Sequence, residues 1–244
     1  MTDELWIDLL LVLALSLVLS LLAYRMDLLT KSGCIAAFMV GSITGACGSL
    51  YWLILLIVFT LAGFAATLAG ISKKKEKGLQ EGTHGERTYR NVLGVAAPCC
   101  LFAIVNLLTQ DQYYYWMMIG YIGTISVAAA DTAGSEIGTK DPNVYLITTF
   151  KKVPVGTDGG ISRLGTAVSL LAAAIVTIIG WAVINLGIND IRIIAPIIGG
   201  FAGCLLDSLV GATMETKRYV NKYSNNCITG ILGALIAILI AHLI

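Results

Sequence analysis

Residues Leu5 to Tyr24 read LWIDLLLVLALSLVLSLLAY. About 20 mostly apolar residues make one helical crossing of a bilayer, and this segment has that length. It is long for the hydrophobic region of a signal peptide, it follows the acidic pair Asp3 and Glu4, and it lacks a small-residue cleavage site. It therefore reads as a retained helix, and the rest of the chain agrees. Of its 244 residues 57% are hydrophobic and 13% charged, with a mean hydropathy of +0.83; a soluble domain carries about 25% charge. Such a chain is an integral membrane protein. Disorder, a disulfide-stapled secreted domain and a nucleic-acid binder with a broad basic face are all excluded by the same composition.

Eight stretches are apolar enough to cross or nearly so: 5–24, 32–49, 50–71, 92–109, 114–137, 164–187, 193–213 and 226–244. The expected fold is all-α, a single polytopic bundle over 1–244 of eight helices, within a range of seven to nine. Eight crossings place the loops 25–31, 72–91, 138–163 and 214–225 on one side. Fifteen of the 16 basic residues fall in those loops and only Arg192 lies opposite. Basic loops are held on the cytoplasmic side, so both termini are expected outside the cytoplasm and the protein in the cell membrane.

Glycine is abundant, at 26 residues. Most of those within spans read as close helix packing, whereas Gly199 to Gly203, after Pro196, would also suit an interrupted helix. The six cysteines (Cys34, Cys47, Cys99, Cys100, Cys204, Cys227) contain no CxxC pair and read as small packing residues; with His84 and His242 far apart, neither a zinc site nor a bis-histidine haem is indicated.

Carboxylates inside membrane segments are costly and point to function. Asp131 and Glu136 stand in Ala128–Gly138 (AAADTAGSEIG), and Asp207 in Gly203–Thr213 (GCLLDSLVGAT). In both, an acid adjoins a hydroxyl among Gly and Ala, and no basic residue lies within the cores of these spans. Hard oxygen donors of this kind suit Mg²⁺, which is held by one or two carboxylates together with waters and substrate phosphates.

A third segment, Lys151–Thr166 (KKVPVGTDGGISRLGT), runs into the sixth span with Gly156, Thr157, Asp158, Gly159, Gly160, Ser162, Arg163 and the cation Lys152. Backbone amides, a helix start and positive charge are what a phosphate needs, although no Walker A motif is present and Asp158-Gly159-Gly160 would equally make a turn. In the fourth segment, Gly85–Asn91, Arg87 and Asn91 stand where a phosphate at the membrane surface would lie. Lys73, Lys74, Lys75 and Lys77 read as headgroup anchors. All four segments share the predicted cytoplasmic face, which suggests a site for a cytoplasmic nucleotide and a membrane-embedded phosphate.

In the stretches Ala130–Gly138, Pro154–Ser162 with Gly165-Thr166, and Asp207–Thr213, and more loosely Arg87–Asn91, the chain resembles a family of multi-spanning proteins. Human transmembrane protein 19 and the plastid phytyl-phosphate kinase belong to it. The resemblance covers roughly 30–244. One departure is Asn91-Val92-Leu93-Gly94, where the family tends to carry a Gln before Val-Leu and a following Asn-Gly.

The resemblance implies a polyprenyl-phosphate kinase of phytyl- or geranylgeranyl-phosphate type, moving the terminal phosphoryl group of a nucleoside triphosphate to an isoprenyl monophosphate. A distant similarity to CTP-using dolichol and phytol kinases and to phosphatidate cytidylyltransferase points to CTP as donor. On this reading Asp131, Glu136 and Asp207 hold Mg²⁺ and the 156–163 loop cradles the nucleotide with Arg163 and Lys152. Arg87 orients the acceptor, and Asp158 is a further ligand or a turn residue. Alternatives are a lipid-alcohol kinase or cytidylyltransferase using the same groups, a transporter of small ions or anions, and a scaffold.

Overall fold

The computed structural model describes residues 3–76, 86–184 and 190–244, so Lys77 and His84 lie outside the described residues. Among these, eight α-helices follow in order: α1 (Asp3–Arg25), α2 (Lys31–Cys47), α3 (Leu50–Glu76), α4 (Tyr89–Leu108), α5 (Tyr114–Ile137), α6 (Arg163–Val183), α7 (Ile194–Val210) and α8 (Lys222–Leu243). The eight expected stretches each became one helix. Five helical segments have the length and composition to cross a membrane: Trp6–Arg25, Tyr89–Leu108, Arg163–Val183, Ile191–Glu215 and Lys222–Leu243. Two shorter apolar helices, Lys31–Cys47 and Leu50–Ala66, join them.

The helix absent from both groups, α5, is the hub. It packs on α3, α4, α6, α7 and α8, and Met118 to Val127 form one uninterrupted buried run. Surrounded by protein, this helix does not need a lipid-compatible surface, so it can carry glycines and carboxylates that an outer helix could not. Around it Trp52, Leu55, Phe102, Met118, Ile119, Tyr121, Ile122 and Trp181 make the apolar core. Trp52 and Tyr121 stack at 4.5 Å between ring centroids. The outer faces carry exposed Leu10, Leu17, Val18, Leu171 and Ile178, as a lipid-facing surface does.

Polar residues start four of the helices at one end of the bundle. Thr30 caps α2 by accepting from the Gly33 amide (3.1 Å), Thr88 and Asn91 form a capping box on α4, Ser162 caps α6 through the Gly165 amide (3.0 Å), and Asn221 caps α8 through the Ser224 amide (3.0 Å). The expected loop 138–163 holds structure of its own. It contains a three-stranded antiparallel sheet of β1 (Val144–Leu146), β2 (Lys152–Val153) and β3 (Gly160–Ile161), in the order β2-β1-β3. Val144 pairs with Val153 and Tyr145 with Ile161. These strands are too short to leave a periodic signature in the sequence.

The glycines of the seventh span settle the choice left open above. The helix α7 runs unbroken through Gly199, Gly200 and Gly203, and a Cβ at these positions would strike Gly233, Ser126 and Val127 of neighbouring helices. Close packing is their role. The irregularity comes later, where α7 passes into a π turn at Gly211–Glu215.

The opposite end is aromatic and internally paired. The Tyr115 hydroxyl donates to Asp190 Oδ2 (2.7 Å), Arg192 Nε lies 3.3 Å from Asp190 Oδ1, and its guanidinium covers the Tyr115 ring at 5.2 Å. Asn106 Nδ2 donates to Asp111 Oδ1 (2.7 Å), and Trp116 meets His242 edge-on at 5.5 Å. The six cysteines form no disulfide.

Candidate active site

The four segments singled out from the sequence meet at the capped end around a cleft of about 350 Å³. Its acids come from four elements, the π turn with Glu215 being one of them. Asp131 and Glu136 stand on the last turns of α5, Asp207 on α7, and Asp158 on the turn before β3.

Small residues bring these elements together. Helices α5 and α6 cross where Gly134 and Gly138 face Gly165; a Cβ at Gly138 would lie 3.0 Å from the Gly165 Cα. The crossing is fastened by the Ser169 hydroxyl, which donates to the Ala130 carbonyl (2.9 Å) one residue before Asp131. The turn 156–160 docks against the end of α7. Gly156 (φ 89°) and Gly159 (φ 75°) adopt the left-handed conformation that disfavours a side chain, and a Cβ on Gly159 would collide with Ala212. The Thr157 hydroxyl (2.8 Å) folds back on the Pro154 carbonyl, and the Gly160 amide (2.9 Å) on that of Thr157. Asp158 is thus both a turn residue and a wall of the cleft.

Asp207 is held from α8: its Oδ1 accepts from the Thr229 hydroxyl (3.2 Å) and its carbonyl from Asn225 Nδ2 (3.1 Å). It stands close enough to Asp131 and Glu215 for each charge to act on the other, with Lys222 also in range. Glu215, at the end of the π turn, also lies in electrostatic reach of Asp158. Its Oε1 is buried without a hydrogen-bond partner among the described residues.

Arg87 and Asn91 form the opposite wall. The backbone around Arg87 is clamped to the first loop: its amide donates to the Leu28 carbonyl (2.9 Å), and its carbonyl accepts from the Thr30 amide (3.1 Å). The fit is tight enough that a Cβ on Gly33 would run into the Arg87 carbonyl. Asn91 Oδ1 accepts from the Thr88 amide and hydroxyl, both at 2.9 Å, so its amide group is the end able to donate to a ligand.

Of the residues singled out from sequence, Asp131, Glu136, Asp158, Asp207, Arg87, Asn91, Gly156, Thr157, Gly159, Gly160 and Ser162 all line the cleft. Two do not. Lys152 lies on β2 and donates to Asn143 Oδ1 (2.9 Å) at the surface, and Arg163 is exposed at the start of α6. Ser162 is occupied as the cap of that helix. Sequence reasoning missed Glu215, Lys222, Tyr223 and Asn226, which also line the cleft. Glu215 was legible as the one acid of a basic loop, eight residues beyond Asp207; Lys222 was hidden among charges that topology already explained.

The acidic donors are hard oxygens, and the thiol in the lining, Cys204, is engaged with the Ser169 hydroxyl (3.6 Å). No three Asp, Glu, His or Cys groups among the described residues converge closely enough to cage an ion by themselves. Paired acids in mutual range, with an orphaned buried Glu215 oxygen, fit a Mg²⁺ that arrives with phosphate and water ligands.

The whole arrangement lies inside a recognised family: residues 14–237 match the one described as Integral membrane protein DUF92. The chain belongs to it. Within this DUF92 family it is 37% identical over 226 residues to an uncharacterized membrane protein of Methanocaldococcus jannaschii, covering 91% of this chain and 90% of that one. Protein VTE6, chloroplastic, of Arabidopsis thaliana is 30% identical over 223 residues, covering 88% of this chain and 66% of that protein. Protein PGR of Arabidopsis thaliana is likewise 30% identical over 223 residues, covering 81% and 75%. No solved structure matches the chain.

Proposed function

We propose that this DUF92 protein is a nucleotide-dependent isoprenyl-phosphate kinase, with its cleft on the cytoplasmic face. The observation that carries the reading is the convergence of Asp131, Glu136, Asp158, Asp207 and Glu215 with Arg87 and Lys222 in a single cleft at the end of a membrane bundle. A scaffold has no need of so many acids at one point, and a transporter would place them near mid-membrane. The motif resemblance to the plastid phytyl-phosphate kinase supports the same chemistry, and CTP is the proposed donor.

Phosphoryl transfer relies on positioning and charge neutralisation more than on covalent help from the protein. A Mg²⁺ held by Asp131 and Asp207, with Glu136 and Glu215 at hand, would neutralise charge on the donor phosphates. Lys222 adds positive charge on the α8 side, and the 156–160 turn shapes the wall against which the nucleotide lies. Arg87 and the Asn91 amide hold the acceptor phosphate in line. A phosphate monoester loses its second proton near pH 6, so the acceptor oxygen attacks as an anion and needs no base. Its oxygen forms a bond to the terminal phosphorus of the donor as the bond to the bridging oxygen breaks, leaving a nucleoside diphosphate and an isoprenyl diphosphate.

The test is transfer of labelled terminal phosphate by purified protein in nanodiscs, with a panel of nucleoside triphosphates and Mg²⁺. Geranylgeranyl monophosphate and geranylgeraniol are the alternative acceptors. Turnover of the monophosphate, lost in Asp131→Ala, is expected; turnover of the alcohol alone, or activity indifferent to Asp131, would overturn the proposal.

A further inference from the structure

A second cavity, of about 130 Å³, adjoins the acidic cleft and shares Arg87, Asn91, Val95 and Thr132 with it. Beyond that shared rim its walls are apolar: Ala37 and Val40 of α2, Leu56, Phe59 and Phe64 of α3, Ala96 of α4. The hydroxyl of Thr60, also in the wall, is spent on the Leu56 carbonyl at 2.7 Å. Its lining residues Ala37, Phe59, Phe64 and Val92 are only half-buried, and Leu61 and Leu93 on the same helices are exposed, which sets the cavity at the outer rim of the bundle.

Gly63 lies in this wall under different constraints from the packing glycines. Among the described residues a Cβ there would meet the Thr132 methyl at 3.9 Å, an ordinary contact, whereas one at Gly120, Gly199 or Gly203 would collide with a neighbour. Packing does not demand a glycine at 63; its effect is to leave the cavity open beside Thr132.

We propose that this cavity receives the phosphate-proximal end of the acceptor's isoprenyl chain, a deeper statement of the kinase reading on which it rests. The occupant follows from continuity and charge. An apolar slot that opens onto Arg87 and an acid-lined cleft fits a molecule with an anionic head and a hydrocarbon tail. Size then limits what the slot can read. At about 15–30 Å³ per water-sized group, 130 Å³ takes roughly four to nine carbons, or one to two isoprene units. Further units leave into the bilayer, so the enzyme selects the head and first units and has no ruler for total length.

The experiment measures KM in nanodiscs, expressed as membrane mole fraction, for C5, C10, C15 and C20 isoprenyl monophosphates. The KM is expected to fall about tenfold or more from C5 to C10 and stay within about twofold from C10 to C20. A steady fall through C20 would overturn the proposal. Gly63→Leu, which fills the slot, is expected to raise the C20 KM tenfold or more while leaving the nucleotide KM unchanged. An unchanged C20 KM in a variant melting within a few degrees of wild type would overturn it too. Failure of the kinase reading is distinguishable, because then no monophosphate turns over. In that case the readout is the melting shift given by geranylgeranyl monophosphate: a shift in wild type that Gly63→Leu loses supports the slot, and equal shifts, or none in either, refute it.

Discussion

The two ends of the bundle handle charge in opposite ways. At the aromatic end, Asp190 is matched by Tyr115 and Arg192, and Asp111 by Asn106. At the cleft end, five carboxylates face one cavity, with glycine turns and caps drawn in around them. Helix α5 spans both regimes, passing from the buried run Met118–Val127 to Asp131 and Glu136. Pairing within the protein lowers the energy of a charge, while clustering of like charges leaves it high until a ligand arrives. A stability-driven end and a ligand-driven end can be told apart on that basis.

The largest expected effect separates them by activity. Asp207→Asn keeps an oxygen for Thr229 but removes the charge. If that charge supports a metal worth several kcal/mol in the transition state, at 1.36 kcal/mol per tenfold, phosphoryl transfer falls about 10³-fold or more. The melting temperature should hold steady or rise. The core that supports the other end should respond inversely: Trp52→Ala, removing the ring stacked on Tyr121, costs about 3–5 kcal/mol of stability. The kcat of the folded fraction, followed alongside thermal unfolding, should change less than about twofold.

A smaller effect probes how the cleft end is assembled. Gly33→Ala pushes on the Arg87 carbonyl and should raise the acceptor KM about tenfold, while the nucleotide KM stays constant; equal changes in both would show that Arg87 does not serve the acceptor alone. The smallest is at the paired end. The Tyr115 hydroxyl is the main cause holding the Asp190 carboxyl below its ordinary value, with the Arg192 amide and charge adding to it against partial desolvation. A lowered folded-state value means this stabilisation is present above the ordinary carboxylate value of about 3.9 and is lost as pH falls through the folded value. Wild type should therefore melt slightly above Asp190→Asn at pH 6, because the amide oxygen still accepts from Tyr115 and only the carboxylate charge facing Tyr115 and Arg192 is lost, and the gap should close below about pH 4.

Much of this was written in the sequence. Length and hydropathy marked eight helices because a bilayer crossing imposes a minimum apolar length, and Asp131, Glu136, Asp158 and Asp207 stood out because charge is scarce in such a chain. Lys152 and Arg163 were grouped with the phosphate loop by proximity in sequence; β2, which turns Lys152 outward, is not visible without the sheet register, and the foreseen start of α6 does not by itself tell that Arg163 stands exposed there. Glu215 and Lys222 escaped for a related reason. Their place in the cleft depends on how α7 ends and α8 begins, and a loop's composition does not encode that path.

The π turn at Gly211–Glu215 has a consequence for length as well as for chemistry. Such a turn holds one residue more than α-helical winding would, and each residue in a helix accounts for about 100° of rotation. Because the turn absorbs one residue, the rotation from Asp207 to Glu215 is that of seven α-helical steps, not eight, which keeps both carboxylates near one face. Regular winding at full length would swing Glu215 by about 100° away from Asp207, whereas removing one amino acid would restore regular winding and leave it near that face. At this position a single-codon deletion preserves the acidic constellation, so chains that differ by one residue here can present the same carboxylates.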